Sequence, residues 1–112
     1  MKAIYVAGKL NDSNAINYLL NVSAMMETAE QVRLAGFAPF VPAIDLLMGI
    51  KFGYKNYEDY FDPSQAWLAK ADAVFLTPGW SESPGTKREI ALANSLGIPV
   101  FYDLDEMTAA LL

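Results

Sequence analysis

Short apolar runs that stop at glycine or proline alternate along this chain with stretches of helical period. That alternation restricts it to a small set of topologies. Ala3 to Ala7 (Ala-Ile-Tyr-Val-Ala) runs into Gly8 and Ala73 to Thr77 (Ala-Val-Phe-Leu-Thr) runs into Pro78, while Ile98 to Tyr102 reads as the last strand. Unbroken apolar runs of this length fit strands buried on both faces. Phe37 to Val41 reads as a further strand, interrupted by Pro39 and closed by Pro42, which predicts an edge position. Between the first two strands, Ile16, Leu19, Leu20, Ala24, Met25, Ala29, Val32 and Leu34 recur roughly at helical spacing. Asn11, Asp12 and Ser13 are candidate N-caps for that helix, and Gly36 is its natural stop. Residues 43–62 are the least regular part, and Pro63 is predicted to open a short helix through Lys70. Ser83 can cap a helix with Pro84 at its first position and Gly97 at its end, and Leu104 to Leu112 reads as a terminal helix.

The pattern β-α-β-(irregular/α)-β-α-β-α implies parallel strands joined by right-handed crossovers. The expected fold is a single α/β domain over residues 1–112, flavodoxin- or Rossmann-like, in three layers. Its short parallel sheet has the order 2-1-3-4, with helices on both faces. In such a sheet the strand order reverses between strands 1 and 3, and ligands bind in the crevice at their carboxyl ends. The loops there begin at Gly8 and Pro78.

Composition narrows the chemistry. A hydrophobic fraction of 54% supplies a core and argues against disorder. The chain has no cysteine and no histidine, which excludes disulfides, thiolate metal sites, His triads and an imidazole base. Acid–base chemistry is left to carboxylates, Tyr, Lys and the backbone, and no metal or organic cofactor is expected. A net charge of −5 with 8 scattered Lys and Arg speaks against a nucleic-acid polymer as partner. The start of the chain is too short an apolar run for a signal peptide or membrane span. A cytoplasmic chain with no membrane partner is expected.

The most informative segment is Pro78-Gly79-Trp80-Ser81-Glu82-Ser83-Pro84-Gly85-Thr86-Lys87-Arg88-Glu89. Small residues let a ligand approach the backbone, and a helix start at Pro84 turns amides and a positive dipole end toward the crevice. The plainer reading is a tight strand-to-helix turn that binds nothing. Glu89 faces either the crevice, as a nucleophile or base, or solvent beside Arg88. Tyr5 sits mid-strand, where most tyrosines are core residues with one satisfied hydroxyl. Gly8-Lys9-Leu10-Asn11-Asp12 has too few glycines for a dinucleotide or P-loop fingerprint, although Lys9 could meet an anion. The aromatics of residues 52–61 form either a cover or subunit interface, or a stacking surface. Trp80 is the better stacking candidate. Asp72 lies at the wrong end of its strand for the crevice. A receiver-type phosphoacceptor is excluded, because the positions for its acidic residues hold Gly8-Lys9 and Thr77-Pro78.

With these residues in view, the chain resembles the nucleoside 2-deoxyribosyltransferase-like superfamily, and within it small phage and bacterial members. The resemblance rests on Ile4-Tyr5-Val6-Ala7-Gly8, Gly36-Phe37 with Pro39 and Pro42, and Ala71-Asp72-Ala73-Val74. It continues through Pro78-Gly79-Trp80 with Ser83, Gly85, Glu89 and Ala93, then Leu96-Gly97-Ile98-Pro99-Val100. It implies that Glu89, the Glu of a Gly-x-x-x-Glu segment, is a nucleophile attacking C1′ of a (deoxy)ribosyl group, and that Tyr5 hydrogen-bonds near it. Water or a second base would then complete hydrolysis or transfer. Ser83, six positions before Glu89, matches the phosphate-contacting Ser of nucleoside 5′-monophosphate N-glycosidases, whereas base-exchanging transferases usually have Asp. The second Asp of these enzymes falls eight positions before Asp72, at Ser64. Asp62 takes that role only if the helix start shifts.

The resemblance thus implies catalytic Glu89, Tyr5 and Asp62, with Gly8, Lys9, Gly79, Trp80, Ser83 and Gly85 binding a small nucleotide or nucleoside. A homodimer or higher homo-oligomer is expected, as is the absence of the C-terminal extension that completes a neighbour's site in the transferases. The leading function is N-glycosidase action on a (deoxy)nucleoside 5′-monophosphate. The alternatives are a non-catalytic nucleotide or nucleotide-sugar binding module, a deoxyribosyltransferase, and an oligomer built on the aromatic segment.

Overall fold

The computed structural model describes the backbone of residues 1–112 and all side chains except those of Ile44, Leu46 and Tyr57. Its described residues form a four-stranded parallel sheet in the order β2-β1-β3-β4. The strands are β1 (Ala3–Ala7), β2 (Ala38–Phe40), β3 (Ala73–Leu76) and β4 (Val100–Phe101). The helices are α1 (Ala15–Leu34), α2 (Asp45–Phe52), α3 (Tyr57–Leu68), α4 (Pro84–Ser95) and α5 (Leu104–Leu111), with short 3-10 turns at Pro42–Ile44 and Trp80–Glu82. The α/β class and the 2-1-3-4 order are those expected from the alternation.

Strand alternation divides the core into two layers. Ile4 of β1 and Ala73 and Phe75 of β3 pack with Val32, Phe37 and Met107 on the α1/α5 face. Tyr5, Ala7, Val74 and Leu76 pack with Leu68 and Ala93 on the α3/α4 face. Val6 joins Met25, Ala29 and Ala43 in a third cluster under α1. The register Tyr5↔Val74 and Val6↔Phe75 keeps like faces together across β1 and β3. β2 occupies the edge, where the missing N–H of Pro39 costs least.

Three local expectations change. The cap of α1 is Asn14, whose side chain accepts from the backbone N–H groups of Ile16 and Asn17. Asp12 stands two residues before it and accepts from the Asn14 N–H. The stretch 43–62 is more regular than expected, holding α2 and the start of α3. Its glycines hid this, yet Gly53 closes α2 at φ 69°, and Gly49 is required because a Cβ there would lie 2.0 Å from the Tyr60 hydroxyl. Pro63 sits inside α3 rather than at its start. The hydrogen bond it forgoes belongs to the carbonyl of exposed Asp59, which water can satisfy. No helix among the described residues is long and apolar enough to cross a membrane.

Candidate functional site

The carboxyl ends of β1 and β3 approach closely at Gly8, where a Cβ would stand 1.7 Å from Thr77 Oγ1. This close approach is a structural reason for glycine that needs no ligand. Beside it lies a cleft of about 690 Å³, within the range of small-molecule sites. It opens on the α3/α4 face of the sheet.

β1 places Tyr5 on that face, and α4 turns Glu89 inward to meet it. Tyr5 Oη donates a hydrogen bond to Glu89 Oε2, and both residues line the cleft. Burial pushes the Glu89 carboxyl up to about 7, and the Tyr5 hydrogen bond only partly opposes this. Burial, followed by the Glu89 charge, pushes the Tyr5 phenol above its ordinary range, so it stays a protonated donor. A carboxylate poised near neutrality on a cleft wall can act as nucleophile or base.

At one end of the cleft lies the N-terminus of α4. Ser83 caps it, its Oγ accepting from the Thr86 N–H at 3.2 Å, and Pro84 opens the helix. Ser83, Gly85 and Thr86 all line the cleft. Thr86 is 1% exposed, and its Oγ1 has no hydrogen-bond partner among the described residues. Buried polar groups are ordinarily paired, and this hydroxyl is an exception at the helix end.

Buried Ser64 and the half-buried Asp45 line the same cleft. The Ser64 hydroxyl lowers the pKa of both the Tyr5 phenol and the Asp45 carboxyl. Burial outweighs that effect at Asp45 and raises its carboxyl above the ordinary value. Tyr18, Tyr60, Phe61 and Ile50 add apolar and aromatic wall.

Tyr5, Gly8, Ser83, Gly85 and Glu89 thus share one cleft. The remaining sequence candidates lie elsewhere. Lys9 Nζ pairs with Glu82 Oε2 at 3.4 Å and is absent from the cleft lining. Asp62 is exposed on α3 and points away from the lining, while its neighbour Phe61 is buried. Gly79 and Trp80 border a second depression with Thr28, Tyr102 and Asp103. Trp80 also packs against the Leu76 and Ala93 cluster. Asp72 is at the amino end of the sheet, accepting from the Ala3 N–H at 2.7 Å.

Asp45 and Thr86 were missed by sequence reasoning. Thr86 lay inside the segment already singled out. Asp45 follows the carboxyl end of β2 across a Pro-led turn, a position that points to the crevice as the Gly8 and Pro78 loops do. Among the described residues no group of three or more His, Cys, Asp or Glu could hold a metal ion.

Comparison with known proteins places this geometry in context. Residues 2–102 match the family described as a domain of unknown function, DUF4406. No curated protein matches the chain. The fold is similar to a solved 2-deoxyribosyltransferase from the psychrotolerant bacterium Bacillus psychrosaccharolyticus. That likeness has a TM-score of 0.64 at 23% identity, over 95% of this chain and 90% of the other.

Proposed function

The chain belongs to the DUF4406 family, and from that premise and the geometry of the cleft we propose that it is an N-glycosidase of (deoxy)nucleoside 5′-monophosphates. The observation that carries this reading is the buried Glu89 carboxyl, held by the Tyr5 hydroxyl on the wall of a ligand-sized cleft. The shared fold with a 2-deoxyribosyltransferase supports it.

In the proposed reaction a Glu89 oxygen attacks C1′, and the C1′–N bond breaks with its electron pair leaving on the base, which takes a proton from water. A glycosyl ester on Glu89 results. Water then attacks C1′ and gives its proton to the hydroxide left by the first step, Glu89 departs as carboxylate, and free base and sugar phosphate are the products. Tyr5 keeps Glu89 aimed and stabilises its ionised form through the donated hydrogen bond. Ser83, Gly85 and Thr86 hold the 5′-phosphate at the α4 N-terminus, where helix amides favour an anion. Tyr18, Tyr60 and Phe61 border the space left for the base. A homodimer belongs to the same reading, with exposed Ile16, Leu20 and Met26 of α1 buried against a second copy.

The test is release of free base from a panel of nucleoside monophosphates by the purified protein. Release that vanishes in Glu89→Gln supports the mechanism, and equal turnover by that variant overturns it. One observation favours a second reading, a nucleotide-binding module without catalysis. Ser64 stands where the resemblance implies a carboxylate, and Asp62 lies outside the cleft. Tight binding of a monophosphate without base release would select that reading.

A further inference from the structure

Asp45 is not used by the reaction above, yet it shares the cleft with Glu89, and unlike Asp12 of the same lining it caps no backbone N–H among the hydrogen bonds of the described residues. We propose that Asp45, held by Ser64, is the base-selecting residue of the site, and that it selects a guanine base. This rests on the nucleotide reading of the cleft.

The position follows from a series of contacts. Glu89 accepts from the Tyr5 hydroxyl, Tyr5, Ser64 and Asp45 line the same cleft, and the Ser64 hydroxyl lowers the pKa of both the Tyr5 phenol and the Asp45 carboxyl. The phosphate end of the proposed site lies at Ser83 and Thr86, and the sugar must reach Glu89. Asp45, which lines the cleft with Tyr60 and Phe61, is thereby assigned to the base.

The chemistry follows from what a carboxylate can accept. An ionised carboxylate offers acceptors only, and it pairs best with two parallel N–H donors. Lys55 is the cation of the described cleft lining, and no ion pair to Asp45 occurs among the described residues. Ser64 supplies a single hydroxyl. Desolvation without a cationic partner is what raises the Asp45 carboxyl, so a ligand that brings N–H donors relieves it. Guanine presents N1–H and its 2-amino N–H side by side. Adenine and cytosine set a bare ring nitrogen beside their amino group, which a carboxylate repels. Hypoxanthine, uracil and thymine offer one N–H flanked by carbonyl oxygen. Among the common bases, guanine alone matches both acceptors of Asp45.

Equilibrium binding in a Glu89→Gln background, where turnover is blocked, reads this selection apart from catalysis. The probes are GMP, IMP and AMP in ribose and deoxyribose forms. GMP is expected to bind about 5- to 150-fold tighter than AMP, the range of one bidentate base contact, with IMP between them. Adding Asp45→Asn replaces one acceptor by a donor, so the order should turn toward AMP. Ser64→Ala, which removes the group holding Asp45, should shrink the GMP preference without reversing it. AMP binding as tightly as GMP, or an order unchanged by Asp45→Asn, overturns the proposal. Guanine-selective binding with no base released by the unaltered protein keeps Asp45 as selector and removes the glycosidase. Base release without guanine preference does the reverse, and absence of any nucleotide binding removes both.

Discussion

Glu89 ties the proposed chemistry to a measurable cost in stability. Its carboxyl is raised by burial from 4.5 to about 7. Between those values the unfolded chain has released a proton that the native state still holds. Native stability therefore falls as pH rises from 4.5 toward 7 and is level above it. The ionised group costs the fold about 3 kcal/mol at pH 8. Glu89→Gln carries no such charge, so its urea midpoint should exceed that of the unaltered protein at pH 8 and approach it at pH 5. Equal differences at both pH values would contradict the burial of Glu89. Base release should in turn rise with pH up to about 7, as the nucleophile ionises. Gly8 gives a second test at this scale. Gly8→Ala drives a methyl into Thr77 and should destabilise by about 1–3 kcal/mol. Adding Thr77→Ala, which removes Oγ1 and Cγ2, should recover much of that loss in denaturant unfolding.

At the scale of elements, two helix caps of similar geometry separate structure from function. Ser83 Oγ accepts from the Thr86 N–H at 3.2 Å, and Asp103 Oδ1 accepts from the Glu106 N–H at 3.0 Å. Ser83→Ala and Asp103→Ala should each cost about 1 kcal/mol of stability. Ser83 alone lines the cleft. Its substitution should also shrink the preference for a nucleoside 5′-monophosphate over the bare nucleoside, and Asp103→Ala should not. The measurement is the ratio of kcat/KM values, or of binding constants, for the two ligands. Matching losses in both variants would place the phosphate away from α4.

For the whole molecule, the question is what covers α1. Met25, Ala29 and Val32 face the sheet, yet Ile16, Leu20 and Met26 are 69%, 61% and 57% exposed. A helix apolar on both faces ordinarily meets a partner. Sedimentation should give a homodimer, and Leu20→Glu should shift it to monomer while leaving the monomeric fold intact by circular dichroism. A monomer at all concentrations would remove the dimer from the proposal.

The strands were legible along the chain, because apolar runs and turn residues act locally, and their parallel sense and 2-1-3-4 order are those common to such an alternation. Ser83 with Pro84, and Gly36 and Gly97 past their helices, were legible for the same reason. Glu89 was different. Ile90 and Ala93 beside it left either orientation open, and only packing of α4 on β1 turned it toward Tyr5. Asp62 and Asp45 show the limit most sharply. Counting from Asp72 led to Ser64, with Asp62 as the substitute if the helix start shifted; α3 does begin before Pro63, yet the helical turn carries Asp62 to solvent. Asp45 enters the cleft from a segment nineteen positions before Ser64 (64 − 45). Local pattern decides which segments become strands and helices, since backbone propensity and burial period are properties of neighbours in the chain. Which carboxylates share a cleft depends on how distant segments pack, so that was decided only in three dimensions.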